Sequence, residues 1–314
     1  MRMRISFFIF VVLSAAVASA SNPRSAVSVT GLDTNPCTVA SPCRSFGAAM
    51  TATSIGGEIV ALSSAGYGPF NIPMSVTISG APGVHAAITV TSGNGITHTG
   101  STGGNTGDVI ALRNLVLIGA GGNYGIDHEI GTDLVIANCL IRGFTLGGIY
   151  SDDFDGRLAV DHCSILDNGA GYGIYTDGGY LITDLTVRNC LIEGNGQGVF
   201  IGYNTRAAIT DTVVTNNSIC GIQGYNVNQI TQTATQIMVE NCTIAHNAIG
   251  LYAAATLTNN SVTINLSRNL IAYNGTGAGA GANMGAVAVV NSYGNNRFVS
   301  NTSDGGPFPT VSFQ

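Results

Sequence analysis

Acidic side chains recur at a fixed position in a segment that is repeated through the middle of the chain. A carboxylate stands four residues after the glycine in three successive copies, as Gly125–Glu129, Gly148–Asp152 and Gly173–Asp177, and the next copy has Gly202 there. Carboxylates that lie close together repel one another when all are ionised, so some must be protonated, bind a cation or face well-hydrated solvent. A protonated carboxylic acid beside an ionised one can cleave a glycosidic bond by general acid catalysis.

A second position of the same segments, two residues after the glycine, is mostly aromatic. It holds Asp127, Tyr150, Tyr175, Phe200 and, further along, Tyr252. Because strand side chains alternate between two faces, we expect both positions to share one outward face. Flat aromatic rings there would give sugar rings an apolar platform, so the sequence predicts that Tyr150, Tyr175 and Phe200 bind substrate.

The predicted site is the set of acidic residues together with the polar residues beside them. We expect the catalytic side chains to be Glu129, Asp152, Asp153 and Asp177, assisted by Asp127, His128 and Tyr124. A Ca²⁺ ion, if the protein uses one, would be held by Glu129, Asp152 and Asp177, since Ca²⁺ prefers oxygen ligands. The alternative interpretation is a solvated polar face whose tyrosines serve strand propensity.

A repeated structural unit must place these segments above one another. Each copy contains an anchor residue, usually Asn, followed by a short apolar run; the anchors are Asn114, Asn138, His162, Asn189, Asp211, Asn241, Arg268 and Asn295. Successive anchors are 22 to 30 residues apart. A period in this range predicts a solenoid, in which each repeat is one coil that cannot bury its apolar face alone.

Apolar alternation around the anchor predicts about three short strands in each coil. Apolar residues precede the anchor by two and four positions and follow it by one and three, as Leu134, Ile136, Cys139 and Ile141 do around Asn138. The change of parity predicts a bend at the anchor, a position that suits Asn. We expect stacked anchor Asn residues, Asn241 included, to form a buried amide ladder. The predicted fold class is all-β, a single-domain right-handed parallel β-helix.

Four cysteines share one inward position of the coil. They are Cys139, Cys163, Cys190 and Cys242, each directly after an anchor. We interpret them as stacked small apolar side chains. A disulfide between neighbouring coils stays open as an alternative, because stacked Cα atoms lie close enough for one.

Charges of alternating sign occupy an outward position before the anchor. Asp133, Arg157, Asp184 and Arg206 stand there in four successive coils. Opposite charges on adjacent strands attract by about 0.2–1 kcal/mol per pair. The pattern therefore predicts a structural charge ladder rather than catalytic arginines, and Arg188 beside Asp161 has the same explanation.

The chain begins with a predicted export signal and a predicted cap. Residues 1–20 have a basic start, an apolar run and a small-residue cleavage site, which are typical of a signal peptide. Residues 21–56 form the predicted N-terminal segment, with a disulfide between Cys37 and Cys43 and a capping helix over 43–53. Residues 57–314 form the predicted β-helix, with surface loops at 92–107 and 275–285.

Composition limits the classes of partner. The net charge is -6, all 11 basic residues are arginine and lysine is absent. Such a chain is a poor binder of nucleic acid or of an anionic membrane. No stretch is long enough to span a bilayer. We therefore expect a secreted or periplasmic protein whose partner is a polysaccharide or a cell-surface glycan.

The exported start, the cap and the coils with an Asn bend resemble the pectin-lyase-like right-handed β-helix superfamily over about residues 31–301. The resemblance implies a substrate groove on the face formed by the Gly-Ile-Tyr strands. Asp152-Asp153 with Asp177 is similar to the acidic set of polygalacturonase-like members, without their Gly-His-Gly stretch. The segment Tyr124–Glu129 is similar to an alginate-epimerase-like motif. Pectate-lyase-like members use a basic residue and often Ca²⁺.

Two function hypotheses follow from the residues and the resemblance. The first is an enzyme that cleaves a polysaccharide, such as a polyuronate, by lyase or glycoside-hydrolase chemistry in a groove lined by carboxylates and aromatic rings. The second is a non-catalytic module that binds a glycan or serves adhesion at a cell surface. A purely structural spacer is a third reading, since fold does not fix function.

Overall fold

A computed structural model describes residues 21–98, 100, 107, 109–129, 133–152, 156–178, 182–227 and 233–311. The predicted signal peptide at 1–20 lies outside this range. Within it, the protein has one short helix, α1 (Phe46–Ala52), and 30 strands that form three sheets. No helix in the described part is both long and apolar enough to cross a membrane.

The three sheets are named A, B and C, and their strands are numbered along the chain. Sheet A contains β1 (Asn22–Val27), β2 (Thr53–Ala61), β5 (Val76–Gly80), β8 (Val109–Arg113), β11 (Asp133–Ala137), β14 (Arg157–Asp161), β17 (Thr183–Arg188), β20 (Thr205–Thr210), β23 (Ala234–Glu240), β26 (Ser261–Ser267) and β29 (Val287–Ser292). Sheet B contains β3 (Ala65–Gly66), β6 (Ala86–Val90), β9 (Leu115–Gly119), β12 (Leu140–Arg142), β15 (Ser164–Leu166), β18 (Leu191–Glu193), β21 (Val213–Thr215), β24 (Thr243–Ala245), β27 (Leu270–Ala272) and β30 (Arg297–Val299). Sheet C contains β4 (Phe70–Asn71), β7 (Ile96–His98), β10 (Tyr124–His128), β13 (Gly147–Ser151), β16 (Tyr172–Thr176), β19 (Gln197–Ile201), β22 (Cys220–Asn226), β25 (Ile249–Ala255) and β28 (Thr276–Ala282).

Each coil contributes one strand to each sheet, in the order A, B, C, and pairs in parallel with the coils before and after it. Equivalent residues fall directly over one another, as Leu134 over Leu158 in sheet A and Ile141 over Ile165 in sheet B. The inward columns of Ile, Leu and Val are fully buried and fill the space between the sheets. The predicted parallel β-helix with three strands per coil is confirmed.

The predicted bend at the anchors is confirmed, but the predicted amide ladder was placed at the wrong residues. Asn138, Asn189 and Asn241 have φ values of 53 to 55° and lie exposed at the bend between sheets A and B. In this left-handed conformation the anchor side chain points outward, so it cannot join a buried ladder.

The buried amide ladder lies at the second bend, between sheets B and C. It consists of Asn168, Asn195, Asn217, Asn247, Asn274 and Asn301. Each side-chain amide donates to the Oδ1 of the next member at 2.9 to 3.1 Å. These residues follow the outward, positive-φ residue of that bend, so their side chains turn into the coil. The ladder satisfies polar groups that burial would otherwise leave unpaired.

The cysteine column is buried, as predicted, and its thiols remain free. Each Sγ lies near a backbone carbonyl; the Sγ of Cys190, for example, is 3.1 Å from the carbonyl oxygen of Arg188. In later coils the same column holds asparagine side chains. Oδ1 of Asn269, for example, accepts the N–H of Cys242 at 2.9 Å. The column is therefore a hydrogen-bonding position as well as an apolar one.

The start of the β-helix is covered as the sequence predicts, with one addition. Cys37 and Cys43 form the predicted disulfide. Helix α1 is capped by Ser45, whose hydroxyl accepts the Ala48 N–H, and it is shorter than predicted because β2 begins at Thr53. Strand β1, which pairs with β2, was not predicted from the sequence.

Both predicted loops contain strands. Residues 92–107 include β7, whose Ile96 and His98 are buried, and residues 275–285 include β28. Strand β28 is rich in Gly and Ala because the ring of Tyr252 lies over Gly279 and Gly281 and leaves little room for larger side chains.

The predicted charge ladder is confirmed on the outer face of sheet A. Nε of Arg157 lies 3.1 Å from Asp133 Oδ2, and Nε of Arg206 lies 2.9 Å from Asp184 Oδ1. Arg188 pairs with Asp161 in the same way at 3.1 Å. These pairs are solvent-exposed and support the sheet modestly.

Candidate functional site

The register of sheet C brings three of the predicted acidic residues into one column. Asp127 pairs with Tyr150, Tyr150 with Tyr175 and Tyr175 with Phe200 across successive coils. The same register continues past the strands, because the Asp152 N–H donates to the His128 carbonyl and the Asp177 N–H to the Ser151 carbonyl. Glu129, Asp152 and Asp177 therefore follow one another along this edge of the β-helix, and we call them the acidic column.

Two tyrosines hold the carboxylates of the acidic column. The hydroxyl of Tyr150 donates to Asp152 Oδ2 at 2.7 Å, and the hydroxyl of Tyr175 donates to Asp177 Oδ2 at 3.2 Å. Burial, followed by the nearby aspartate charges, raises the pKa of both tyrosines well above the usual value. Both hydroxyls therefore stay protonated and act as donors to the carboxylates.

Asp177 is the most enclosed carboxylate of the acidic column. Its Oδ1 is buried and accepts no hydrogen bond of normal geometry from the described residues. Burial raises the pKa of Asp177 to about 7, and the charge of Asp152 adds to the effect. The Tyr175 hydroxyl and the nearby N–H groups of Tyr203 and Gly178 act in the opposite direction but do not outweigh burial. Asp177 thus carries a proton up to about neutral pH.

Asp127 starts the column that continues as Tyr150, Tyr175 and Phe200. It is less exposed to solvent than the sequence predicts. Its side chain is only 6% exposed, and its Oδ2 accepts a hydrogen bond from the Asn94 amide. Burial, with the charge of Glu129, raises the pKa of Asp127 to about 6, although Asn94 opposes the shift. Asn94 also accepts the Tyr124 N–H at 3.4 Å, so it connects the Asp127 side chain to the backbone of Tyr124.

The aromatic side chains form a stack along the β-helix rather than a flat platform. Ring centroids are 4.6 Å apart for Tyr124–Tyr150, 4.8 Å for Tyr150–Tyr175 and 5.0 Å for Tyr175–Phe200, with interplanar angles of 25° or less. Neighbouring rings cover each other's faces, so a ligand meets ring edges and hydroxyls. Such pairs are worth about 0.5–1.5 kcal/mol each.

Sequence analysis missed two rings of this stack. Tyr172 contacts both Tyr175 and Phe200, with centroids 4.9 and 5.4 Å apart, and Tyr225 lies 5.7 Å from Phe200. Tyr172 stands directly before the glycine of its coil, as Tyr124 does, and that repetition was the available signal. In the coil between them this position is Gly147, which leaves room for the Tyr124 ring.

His128 lies inside the coil, away from the acidic column. Its side chain is 1% exposed and stacks on His98 with centroids 4.9 Å apart. Burial and His98 lower the pKa of His128 to about 3, so the ring is neutral at physiological pH. A side chain in this position does not reach a ligand on the outer face. Asp153, the remaining predicted residue, lies outside the described residues.

The acidic column does not fit the Ca²⁺ site that the sequence suggested. Among the residues that the structure describes, no three acidic, His or Cys side chains converge as a metal site requires. Asp152 and Asp177 instead each accept a hydrogen bond from a separate tyrosine hydroxyl. We therefore derive no step through a metal ion.

A surface depression lies elsewhere, on the outer face of sheet A. It has a volume of about 520 Å³, and its lining includes Arg157, Asp184, Arg206, Gln236 and Met238. Its arginines belong to the charge ladder, where each is paired with an aspartate. It contains no carboxylate of the acidic column.

Comparison with solved structures shows similarity in fold. The A-module of the mannuronan C-5 epimerase AlgE4 from Azotobacter vinelandii aligns with a TM-score of 0.51 and 13% identity, over 82% of this chain and 91% of that one. The pectate lyase Pel9A aligns with a TM-score of 0.49 and 15% identity, over 93% and 82%. The lacto-N-biosidase of family GH136 from Eubacterium ramulus aligns at 0.36 and 9%, over 93% and 67%. No curated protein sequence matches significantly.

A family model covers the coils that carry the site. The model described as a right-handed beta helix region matches residues 76–234, which is just over half of the chain and includes the whole acidic column. This match agrees with the three parallel sheets and the stacked register of the structure. The chain belongs to the family of proteins with a right-handed β-helix region.

Proposed function

We propose that the protein is a secreted or periplasmic carbohydrate-active enzyme that hydrolyses glycosidic bonds at Asp152 and Asp177. The observation that carries the proposal is the pair itself. Two equivalent carboxylates lie one coil apart on one face, each held by a tyrosine hydroxyl. Asp177 is enclosed, and burial raises its pKa to about 7. A pair of carboxyl groups in different environments is what glycoside hydrolysis requires.

The coil spacing supports a retaining mechanism. Neighbouring strands of a sheet are about 4.8 Å apart, and the carboxyl groups of retaining glycosidases are about 5–5.5 Å apart. Asp177 would donate its proton to the leaving glycosidic oxygen while the carboxylate of Asp152 attacks the anomeric carbon. Asp177, now ionised, would then take a proton from the water that hydrolyses the glycosyl ester, which restores both groups.

Electrostatics favour a neutral glycan over a polyuronate. Asp127, Glu129, Asp152 and Asp177 line the face, whereas the arginines nearby in sequence are paired on sheet A. An anionic polymer would be repelled by ionised carboxylates. The similar epimerase acts on mannuronan, a uronate polymer, but that similarity concerns the fold alone.

Lyase chemistry has less support from the residues present. β-Elimination needs a base that removes a proton next to a carboxylate, and a basic side chain serves this role in pectate-lyase-like enzymes. The sequence contains no lysine. Arg157, Arg188 and Arg206 hold aspartates on another face.

A second candidate function is non-catalytic binding of a polysaccharide or cell-surface glycan. The stack of rings from Tyr124 to Phe200 favours it, because it presents a row of ring edges and tyrosine hydroxyls across four successive coils. Such a strip can accept hydrogen bonds from sugar hydroxyls without any chemistry.

Assays on a panel of neutral and anionic glycans test the proposal. Asp152→Asn and Asp177→Asn should each lower turnover by about 10²- to 10⁴-fold, the range of acid–base catalysis. Asp167→Asn is the matched control, because that carboxylate is 62% exposed at another bend. Unchanged turnover in both site variants would reject this site. Binding of a glycan without any product would favour the second function.

A further inference from the structure

One position in the acidic column lacks a side chain. The column reads Glu129, Asp152, Asp177 and then Gly202, whose N–H donates to the Thr176 carbonyl in the same register. A Cβ placed on Gly202 would lie 2.3 Å from Oδ1 of Asp177 and 2.5 Å from its Cγ. Since real Cβ atoms do not approach this closely, the Asp177 carboxylate occupies the space of the missing side chain.

The recess over Gly202 accounts for the enclosure of Asp177. Oδ1 is buried and lies closest to the Cβ position of Gly202, while Oδ2, 2.9 Å from that position, accepts the Tyr175 hydroxyl. The titratable groups around the carboxylate are Asp152 from the preceding coil and Tyr175 from its own strand, and the N–H groups of Tyr203 and Gly178 lie nearby. Removal from water is the largest influence among these, and it favours the protonated acid.

The acidic column has no glycine next to Asp152 in the following coil. The residue after it in the column is Asp177, which has a full side chain, whereas the residue after Asp177 is glycine. Asp152 also has the shorter tyrosine bond, 2.7 Å compared with 3.2 Å. The residue in the next coil is therefore one difference between the surroundings of two carboxylates from equivalent Gly-Ile-Tyr-x-Asp segments.

We propose that Gly202 is a positioning residue that seats the Asp177 carboxyl group and so makes Asp177, not Asp152, the proton donor of the pair. The role of Asp177 as proton donor rests on the proposed function. The position of its carboxyl group over Gly202 does not, because it concerns the geometry of the free protein.

Alanine at position 202 isolates the steric effect. The backbone of Gly202 is not among the residues with positive φ, so an L-residue can adopt its conformation. The added Cβ must displace the Asp177 carboxylate, which is the end of a rotatable side chain, toward solvent. We expect its pKa to fall by about two units toward the ordinary aspartate value. The protonated fraction at pH 7 would then fall from about one half to about one in a hundred.

Carbon-13 NMR titration of the aspartate carboxyl groups tests the proposal without any substrate. Asp177→Asn identifies the Asp177 signal, which should titrate near pH 7 in the wild-type protein. In Gly202→Ala the signal should move to lower pH, while in Gly66→Ala it should not, since a Cβ on Gly66 meets nothing within 4 Å. An ordinary aspartate titration in the wild type, or an unchanged Asp177 in folded Gly202→Ala, would overturn the proposal.

The pH profile of hydrolysis separates this inference from the proposed function. If a glycan is cleaved, the alkaline limb of the profile should shift to lower pH in Gly202→Ala and stay in place in Gly66→Ala. A shifted Asp177 titration with no glycan cleaved by any form would reject hydrolysis but retain the seating. A profile unchanged by Gly202→Ala would reject Asp177 as the donor.

Discussion

The hydroxyl of Tyr150 lies 2.7 Å from Oδ2 of Asp152, and one coil later Tyr175 stands in the same relation to Asp177. The repeat thus delivers the same tyrosine–aspartate unit twice, at adjacent levels of one sheet. The burial of Asp177 then gives the two carboxyl groups different proposed roles. The predictions below test each element of this arrangement.

Tyr150→Phe should impair catalysis more than binding. The ring keeps its place between Tyr124 and Tyr175, but Asp152 loses the hydrogen bond from this hydroxyl. A hydrogen bond to a charged group contributes about 1.5–3 kcal/mol, so we expect kcat to fall by about tenfold or more. Steady-state kinetics measure the change, with Tyr273→Phe as control because Tyr273 is 56% exposed at a distant bend. An equal effect of both variants would contradict the role of the hydroxyl.

Asp177→Asn should stabilise the fold at high pH. The pKa of about 7 in the folded protein lies above the ordinary aspartate value of 3.8, so the group favours the folded state below pH 3.8 and loses that contribution as pH rises through 7. At pH 8 the buried charge is fully destabilising, and an amide removes it. We expect the thermal midpoint to rise by a few degrees at pH 8 and to change little at pH 4. No gain at pH 8 relative to Asp167→Asn would contradict the burial of this carboxylate.

Removing His128 should make the protein less sensitive to acid. Its pKa of about 3 in the folded protein lies below the ordinary histidine value of 6.5, so the unfolded chain binds an extra proton between these pH values. Stability from this group is therefore lost as pH falls from 6.5 toward 3, by up to about 1.4 kcal/mol per pH unit. Asp127 and Asp177 act in the opposite direction, so the comparison must be between variants.

Urea unfolding of His128→Asn and the wild-type protein at pH 4.5 and 7 measures this effect. The variant should lose less stability than the wild type on acidification, whatever its stability at pH 7. Parallel losses in the two proteins would show that His128 is not held neutral.

The hydrogen-bonding capacity of the cysteine column should matter more than its volume. Thr212 occupies that column, donates to the Thr210 carbonyl at 2.8 Å and accepts the Cys190 N–H at 3.4 Å. Cys190→Thr keeps both kinds of bond, whereas Cys190→Ala leaves buried groups unpaired at a cost of about 1–3 kcal/mol. Urea unfolding should rank alanine below threonine, and the reverse order would favour a purely apolar column.

Much of the fold was predictable because the coil has a fixed period and strands alternate. The inward positions of Leu134 and Ile136, the bend at Asn138 and the alternation of Asp133 with Arg157 all follow from residue type and parity. The ladder at Asn168 and Asn195 was missed because both bends are rich in Asn, and only conformation decides which side chain turns inward.

The sequence was sufficient to predict that the acidic residues form a column, but not the surroundings of each residue. The order of Glu129, Asp152 and Asp177 follows from register, whereas the enclosure of Asp177 depends on a glycine in the next coil. Parity alone suggested open rings, but rings repeated at the coil spacing stack on one another. The position of His128 inside the coil follows from the same parity that places Asp127 and Glu129 on the other face.

The release of new reducing ends from neutral glycans by the wild-type protein and by Asp177→Asn tests the central claim most directly. The account predicts release by the wild type, with a loss of at least about 100-fold in the variant while Asp167→Asn stays active. Equal release by the wild type and Asp177→Asn, or release by neither from any glycan of the panel, would contradict it.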